Sequence, residues 1–285
     1  MDVERQARRA AIFASLHRSG APLLLANAWD VASAVTIVGA GAKAVATTSA
    51  GVAWSLGVPD GADLGADRAA AVIERITAAV DVPVSADIEA GYGPKPDAVA
   101  ATMTAVVQAG AVGVNLEDRS GQDGTALFEP AEQAERLAAA RAAADRLAIP
   151  AWINARTDVF LAGVGPAEKR LQVALERAAA YAAAGADSLF VPGLIDLAAI
   201  AELAAGPLPV TVMAWDGAPT VGELASAGVV RISLGSAVAQ AAYAVAARAT
   251  RELLADGTYG FTADGIPYDQ TNDALASGPA TQKAR

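Results

Sequence analysis

The chain has 285 residues, no cysteine and a single histidine, His17, which excludes disulfide frameworks, thiol nucleophiles, Cys/His zinc sites and Ser-His-Asp chemistry. Its 31 Asp and Glu against 21 Lys and Arg give a formal charge of −10, so a nucleic acid partner would be repelled over most of the surface. With 54% hydrophobic and 18% charged residues, the composition is that of a folded globule whose chemistry runs on carboxylates.

The opening segment, Met1–Gly20, alternates charge with small apolar residues and predicts a helix ahead of the first strand, with no signal peptide. From there one unit repeats. Alanine-rich segments end in Ala-Gly and pass into β-branched runs at Ala40–Ser49, Ala109–Asp118, Ala184–Gly193 and Ala227–Gly235, the glycine closing each helix. Apolar runs that follow a proline or another breaker alternate with these, at Pro22–Ala28, Val82–Glu89, Ala151–Asp158 and Pro209–Trp215. Glu129-Pro130 and Gly165-Pro166 start two of the intervening helices. About eight strands, each followed by a helix, predict an α/β fold of the (β/α)8 barrel type; a doubly wound open sheet shares the alternation but suits this single-domain length less well. Residues 1–255 are expected to form the barrel domain with its N-terminal helix. Residues 256–285, rich in Gly, Asp and Pro, are expected to form a tail, partly disordered or in contact with another subunit. The uncharged stretch Ala98–Leu116 approaches membrane-spanning length, but Thr102, Gln108, Gly110 and Asn115 break it into a buried helix and strand. The expectation is a soluble cytoplasmic protein with no membrane partner.

The active face of such a barrel lies at the C-terminal ends of its strands. Side chains two apart on a strand share a face, so Asp87 with Glu89, Asn115 with Glu117, and Asn154 with Arg156 are expected as three adjacent polar pairs. Carboxylates crowded in this way need a cation among them. With oxygen ligands alone on offer that cation is hard, Mg2+ first and Mn2+ second, beside Arg156. The alternative is an ion-free network of Asp87, Glu117 and Arg156. Thr48-Ser49-Ala50-Gly51 reads as a small-residue loop whose N–H groups receive a carboxylate or phosphate, or as an ordinary turn. The polar segment Arg119–Phe128 reads as a lid, or simply as a flexible loop.

Four motifs in order, TTSAGVAWSLGVPD (Thr47–Asp60), SADIEAGYG (Ser85–Gly93), NLED (Asn115–Asp118) and NARTD (Asn154–Asp158), resemble the isocitrate lyase/phosphoenolpyruvate mutase superfamily from Asn27 to about Ser236. The resemblance implies that Ser49, Ala50 and Gly51 hold a substrate carboxylate. It implies that Asp87, Glu89 and Glu117, supported by Asp60, arrange Mg2+ and its waters, and that Arg156 contacts an oxyanion or carboxylate. It also implies a homo-oligomer, dimer or tetramer, with the helix near Ser236–Ala255 exchanged between neighbours. The sequence departs from the family in the loop after the fourth strand, which lacks the Lys, Cys and His of the lyases. That loop offers Gln122 and Asp123 where phosphonate-converting members use Lys and Asn. Thr47 replaces a common aromatic, with Trp54 nearby to fill part of the space, and Val191-Pro192-Gly193 stands where Glu or His often follows the sixth strand.

The expected reaction is cleavage of a C–C bond in a small 2-oxo or 2-hydroxy carboxylate through an enolate, with Glu117 and Arg156 as the catalytic pair. Decarboxylation needs no base to start it. A retro-aldol reaction needs one, from Tyr92, Asp123 or a metal-bound water. A phosphonomutase or phosphonopyruvate hydrolase acting on a P–C bond, and a non-catalytic 2-oxo acid binding protein, are the alternatives.

Overall fold

The computed structural model describes residues 2–62, 64–120 and 126–276. The apolar runs become strands: β1 (Leu23–Leu25), β2 (Asn27–Ala28), β3 (Val45–Thr47), β4 (Val84–Asp87), β5 (Gly113–Glu117), β6 (Arg119–Ser120), β7 (Ala126–Leu127), β8 (Trp152–Arg156), β9 (Ser188–Phe190), β10 (Val210–Met213) and β11 (Val229–Ser233). Helices alternate with them: α1 (Val3–Ser15), α2 (Val31–Gly39), α3 (Ser49–Ser55), α4 (Ala66–Ala79), α5 (Pro96–Gln108), α6 (Pro130–Arg146), α7 (Arg170–Ala183), α8 (Leu197–Ala204), α9 (Val221–Ser226), α10 (Ala237–Asp256) and α11 (Tyr268–Ala276). Local chemistry sets several starts. Asp30 and Ser33 form a reciprocal cap on α2, Thr220 and Glu223 do so on α9, and Pro130 opens α6.

Nine strands form one parallel sheet in the order β1-β11-β10-β9-β8-β5-β4-β3-β2. The ends of that order, β1 and β2, are consecutive pieces of one run broken at Ala26, and they pair with β11 and β3 respectively. The sheet therefore curls back on itself as a barrel, the first expected strand being split in two. Asn27 fastens the seam: its side chain accepts from the Leu234 N–H at 3.1 Å and donates to the Thr47 carbonyl at 3.0 Å. β6 and β7 pair as an antiparallel ribbon beside the barrel. Between them, the centre of the expected lid, with Gln122 and Asp123, lies outside the described residues.

Helices wrap the barrel with apolar faces inward, Ala174, Ala178 and Tyr181 of α7 among them. The lumen itself is partly polar. Asn154 donates to Asn115 Oδ1 at 2.8 Å, and its own Oδ1 accepts from Ser188 at 2.6 Å and Thr211 at 2.9 Å. Arg231 of β11 reaches across to Asn115 Oδ1 at 3.1 Å, past the intervening β10, β9 and β8. Burial pulls its guanidinium down to about 10, with Asp87 opposing.

At the N-terminal end Phe13 of α1 plugs the barrel, fully buried. A Cβ on Gly113 would stand 2.9 Å from the Phe13 ring, so glycine there is what lets the plug seat. His17 stacks on Trp152 with centroids 4.2 Å apart; burial first, then Arg231, lowers the imidazole to about 4, leaving a neutral packing ring. α10 contrasts with the other long helices, burying Ala239 while exposing Tyr243, Val245, Leu253 and Leu254. Among the described residues no helix is long and apolar enough to cross a membrane.

Phe13→Ala is expected to remove about 3–5 kcal/mol of stability, the cost of emptying a site that size. Urea unfolding followed by circular dichroism checks this: the midpoint should fall while the slope is retained.

Candidate active site

β4, β5 and β8 are neighbours in register at their C-terminal ends. Asp87 sits opposite Asn115, Asn115 opposite Asn154, and Glu117 opposite Arg156. The expected pairs Asn115/Glu117 and Asn154/Arg156 thus stand as two rungs on one face, the lower rung joined by the hydrogen bond between the two side-chain amides in the lumen. Glu89 departs from the expectation. β4 ends at Asp87, and Glu89 lies beyond it with φ +50°, so a turn presents it and the strand pleat does not.

Arg156 is held on two sides. One Nη is 2.9 Å from Glu117 Oε2, while Nε and the other Nη clasp Asp158 at 2.6 and 2.8 Å. Arg119 meets Asp158 at 2.5 Å. The Asp158 N–H donates to Asp118, which also accepts from Arg177 at 3.0 Å and the Tyr181 hydroxyl at 2.8 Å. Asp118 and Asp158, both fully buried, therefore form the foundation under Arg156.

Asp87 is gripped from the neighbouring strand. Its Oδ2 accepts from the Ser49 hydroxyl at 2.8 Å and the Ser49 N–H at 3.2 Å, and its own N–H donates to Thr47 Oγ1 at 2.8 Å. Thr47 uses its hydroxyl here, work an aromatic ring cannot do. The Thr48–Gly51 segment, expected as a loop, is the cap and first turn of α3. Gly51 is confined: a Cβ would lie 2.7 Å from Thr48 Cγ2 and 2.9 Å from Trp29 Cβ. Trp54 packs towards Tyr243 of α10, with centroids 6.2 Å apart. Asp60 follows α3 on an exposed turn at the rim.

Negative charge is in excess. Burial pushes Glu117 up to about 8; Arg156 opposes, while Asp158 and Asp87 add to the rise. Loss of hydration and then Asp87 raise Asp60 against the pull of Arg156. Burial would lower Arg156, but Glu117 and Asp158 together overcome it and hold the guanidinium protonated. Burial, followed by Glu89 and Asp87, drives the Tyr92 phenol far above its ordinary range, and its hydroxyl hydrogen-bonds Glu89. Tyr92 is therefore a donor at working pH and unsuited to be a base.

Among the described residues no three His, Asp or Glu side chains converge to grip an ion directly. An oxygen-only set whose carboxyls raise one another suits a hard divalent ion that keeps most of its waters, as Mg2+ does. Three arginines escaped the sequence reading: Arg136 on α6, Arg177 on α7 and Arg231 in the lumen. None of them carried a motif.

Residues 13–254 match the model of the phosphoenolpyruvate phosphomutase family. The chain belongs to this family. It is an enzyme of the isocitrate lyase/phosphoenolpyruvate mutase superfamily. It is 32% identical over 221 residues to 2-methylisocitrate lyase of Salmonella typhimurium, covering 73% of this chain and 72% of that one. A crystal structure from Burkholderia cenocepacia J2315, provisionally named a phosphonomutase, is 45% identical with a TM-score of 0.82, covering 89% of this chain and all of that one. An oxaloacetate acetylhydrolase holding its product oxalate is 26% identical with a TM-score of 0.84, over 97% of this chain and 95% of that one.

Since folded Glu117 titrates near 8 against 4.5 for the free group, the folded chain keeps a proton there that the unfolded chain has lost. Stability from this group is full below about pH 4.5 and declines as pH rises through about 8. Metal-free wild type should therefore lose more stability than E117Q between about pH 5 and about pH 8.5, read by urea unfolding. Parallel profiles for the two proteins would contradict the assignment.

Proposed function

We propose that this enzyme is Mg2+-dependent and breaks a C–C bond of a small 2-oxo or 2-hydroxy carboxylate so that the bonding electron pair is left in an enolate. The observation that carries the reading is Arg156, protonated and fixed between Glu117 and Asp158 on a strand end separated from that of Asp87 by β5. Asp87 and Glu117, with Glu89 and Asp60 acting through waters, would hold the ion, which when bound supplies Lewis-acid stabilisation of charge on a substrate oxygen.

The protein's own groups do the rest. Arg156 takes the carboxylate or the developing oxyanion in a geometry that Glu117 and Asp158 prevent from drifting. The first turn of α3 offers the Ala50 N–H to a second carboxylate, the Gly51 N–H being engaged by the Thr48 hydroxyl at 3.5 Å, while Ser49 orients Asp87. Tyr92 donates to Glu89 and fixes its direction. Decarboxylation asks for no further proton acceptor. That suits a chain without the lid cysteine, and likeness to an oxaloacetate-cleaving enzyme supports the same substrate class. Cleavage of a P–C bond is the second reading, favoured by the 45% identity to a provisional phosphonomutase.

The exposed apolar side of α10 supports assembly with further copies of the chain, as a dimer or tetramer. The charge of −10 supports action away from nucleic acid and anionic membrane surfaces.

A Mg2+-supplemented panel of 2-oxo, 2-hydroxy and phosphono acids should give pyruvate, glyoxylate, succinate or CO2 from a carboxylate. Phosphate release, or rearrangement of a phosphono acid to its phosphate ester, would establish the second reading, and binding without turnover would refute both. Arg156→Lys should lose about 100-fold or more in kcat/KM with the fold intact, and Asp87→Ala should lose Mg2+ uptake by calorimetry. Sedimentation should show L254D dissociating relative to wild type; an unchanged mass would count against the α10 contact.

A further inference from the structure

Glu89 and Tyr92 are carried on the turn between β4 and α5, and its backbone is strained. Both have φ of +50° and Gly91 between them has φ +83°. Among the described residues, Ala148 is the one other side-chain-bearing position in the left-handed region. Such conformations are strained for residues that carry a Cβ and persist where the surroundings impose them.

Besides a bond from the Thr102 hydroxyl to the Gly91 carbonyl at 2.9 Å, the surroundings converge on one side chain. Arg136 of α6 is fully buried, and its guanidinium donates to the carbonyls of Gly93 at 2.9 Å, of Pro94 and of Ala90. Its Nε donates to Gln133 Oε1 at 2.9 Å, and Gln133 in turn donates to the Glu117 carbonyl at 3.1 Å. One face of the guanidinium lies 4.1 Å from the ring of Phe128, just past β7. The Glu117 N–H closes the circuit on the Glu89 carbonyl at 2.9 Å.

We infer that Arg136 is a positioning residue for this site: its planar fork imposes the left-handed turn that presents Glu89 and Tyr92, and ties that turn to Glu117 and to the end of the ribbon. The role given to Glu89 and Tyr92 rests on the proposed function; the hold on the turn does not. A lysine cannot stand in, because three donors on one nitrogen offer neither the fork nor the flat face against Phe128.

Hydrogen exchange on the full chain, without metal or substrate, tests the hold directly. Arg136→Met should speed exchange across residues 88–94 by about tenfold or more. The control is Arg141→Met, which removes bonds to the Gly185 and Ala151 carbonyls and to Asp187 at the opposite end of the barrel. It should lower global stability without loosening residues 88–94. Calorimetric titration with Mg2+ alone should be about 10–100-fold weaker in Arg136→Met, with kcat falling more than KM changes. Arg136→Lys, the milder variant should the methionine form fold poorly, is expected to follow Arg136→Met in the turn.

Unchanged exchange in Arg136→Met, equal loosening of the turn in Arg141→Met, or wild-type behaviour of Arg136→Lys would each overturn the inference. So would a loosened turn with undiminished Mg2+ affinity and kcat. Should wild type take up no Mg2+ and convert nothing, the functional reading fails, and the exchange experiment still decides whether Arg136 holds the turn.

Discussion

A guanidinium taken out of water must be met by charge and by hydrogen bonds, and Arg156 is where the barrel satisfies that requirement. Glu117 faces it across one ladder step, Asp158 clasps it in the next turn of chain, and Asp118 pins Asp158 from below. Each of these acids is itself costly to bury, so each recruits a further partner: Arg119 for Asp158, and Arg177 with Tyr181 for Asp118. The result is alternating charge running inward from the mouth. Removing one member strands its neighbour, which makes the geometry at Arg156 stiff.

The same stiffness extends into the lumen. Asn115 and Asn154 lie one rung below Glu117 and Arg156, and their amides are joined to each other and to Ser188, Thr211 and Arg231. A barrel filled only by apolar side chains would pack as densely, but its rungs would have no directional bonds between strands. Here the directional bonds fix register where the reacting groups are mounted. Excess negative charge at the mouth is met in part by the proton that Glu117 keeps, and it suits a bound cation.

The sequence showed most of the barrel because its signals were local. Ala-Gly closures and proline-led apolar runs mark strand starts without reference to anything distant, and the two-residue pleat placed Asn115 under Glu117 and Asn154 under Arg156. The same rule misled at Glu89, where a left-handed turn interrupts the pleat just past Asp87. At Thr48 a capping hydroxyl turns four small residues into a helix start. Asp118 and Asp158 sit in the motifs beside Glu117 and Arg156, and residue type alone could not mark them as foundation. Arg136 and Arg231 were illegible for a different reason: their partners, Ala90 and Asn115 among them, are assembled only by the closed fold.

The split first strand has a consequence in time. β1 finds its place on β11 and β2 on β3, so the ring is sealed by residues from opposite ends of the chain, Leu24 beside Ile232. Contacts so far apart in sequence form slowly, whereas β4, β5 and β8 can pair once the chain up to Arg156 is available. The acidic platform and Arg156 can therefore assemble before the vessel that encloses them. Until Leu23–Leu25 seats, the growing sheet presents bare strand edges, the state most open to pairing with a stranger. The segment that contributes least to the chemistry is thus the stave whose insertion ends the chain's vulnerable period.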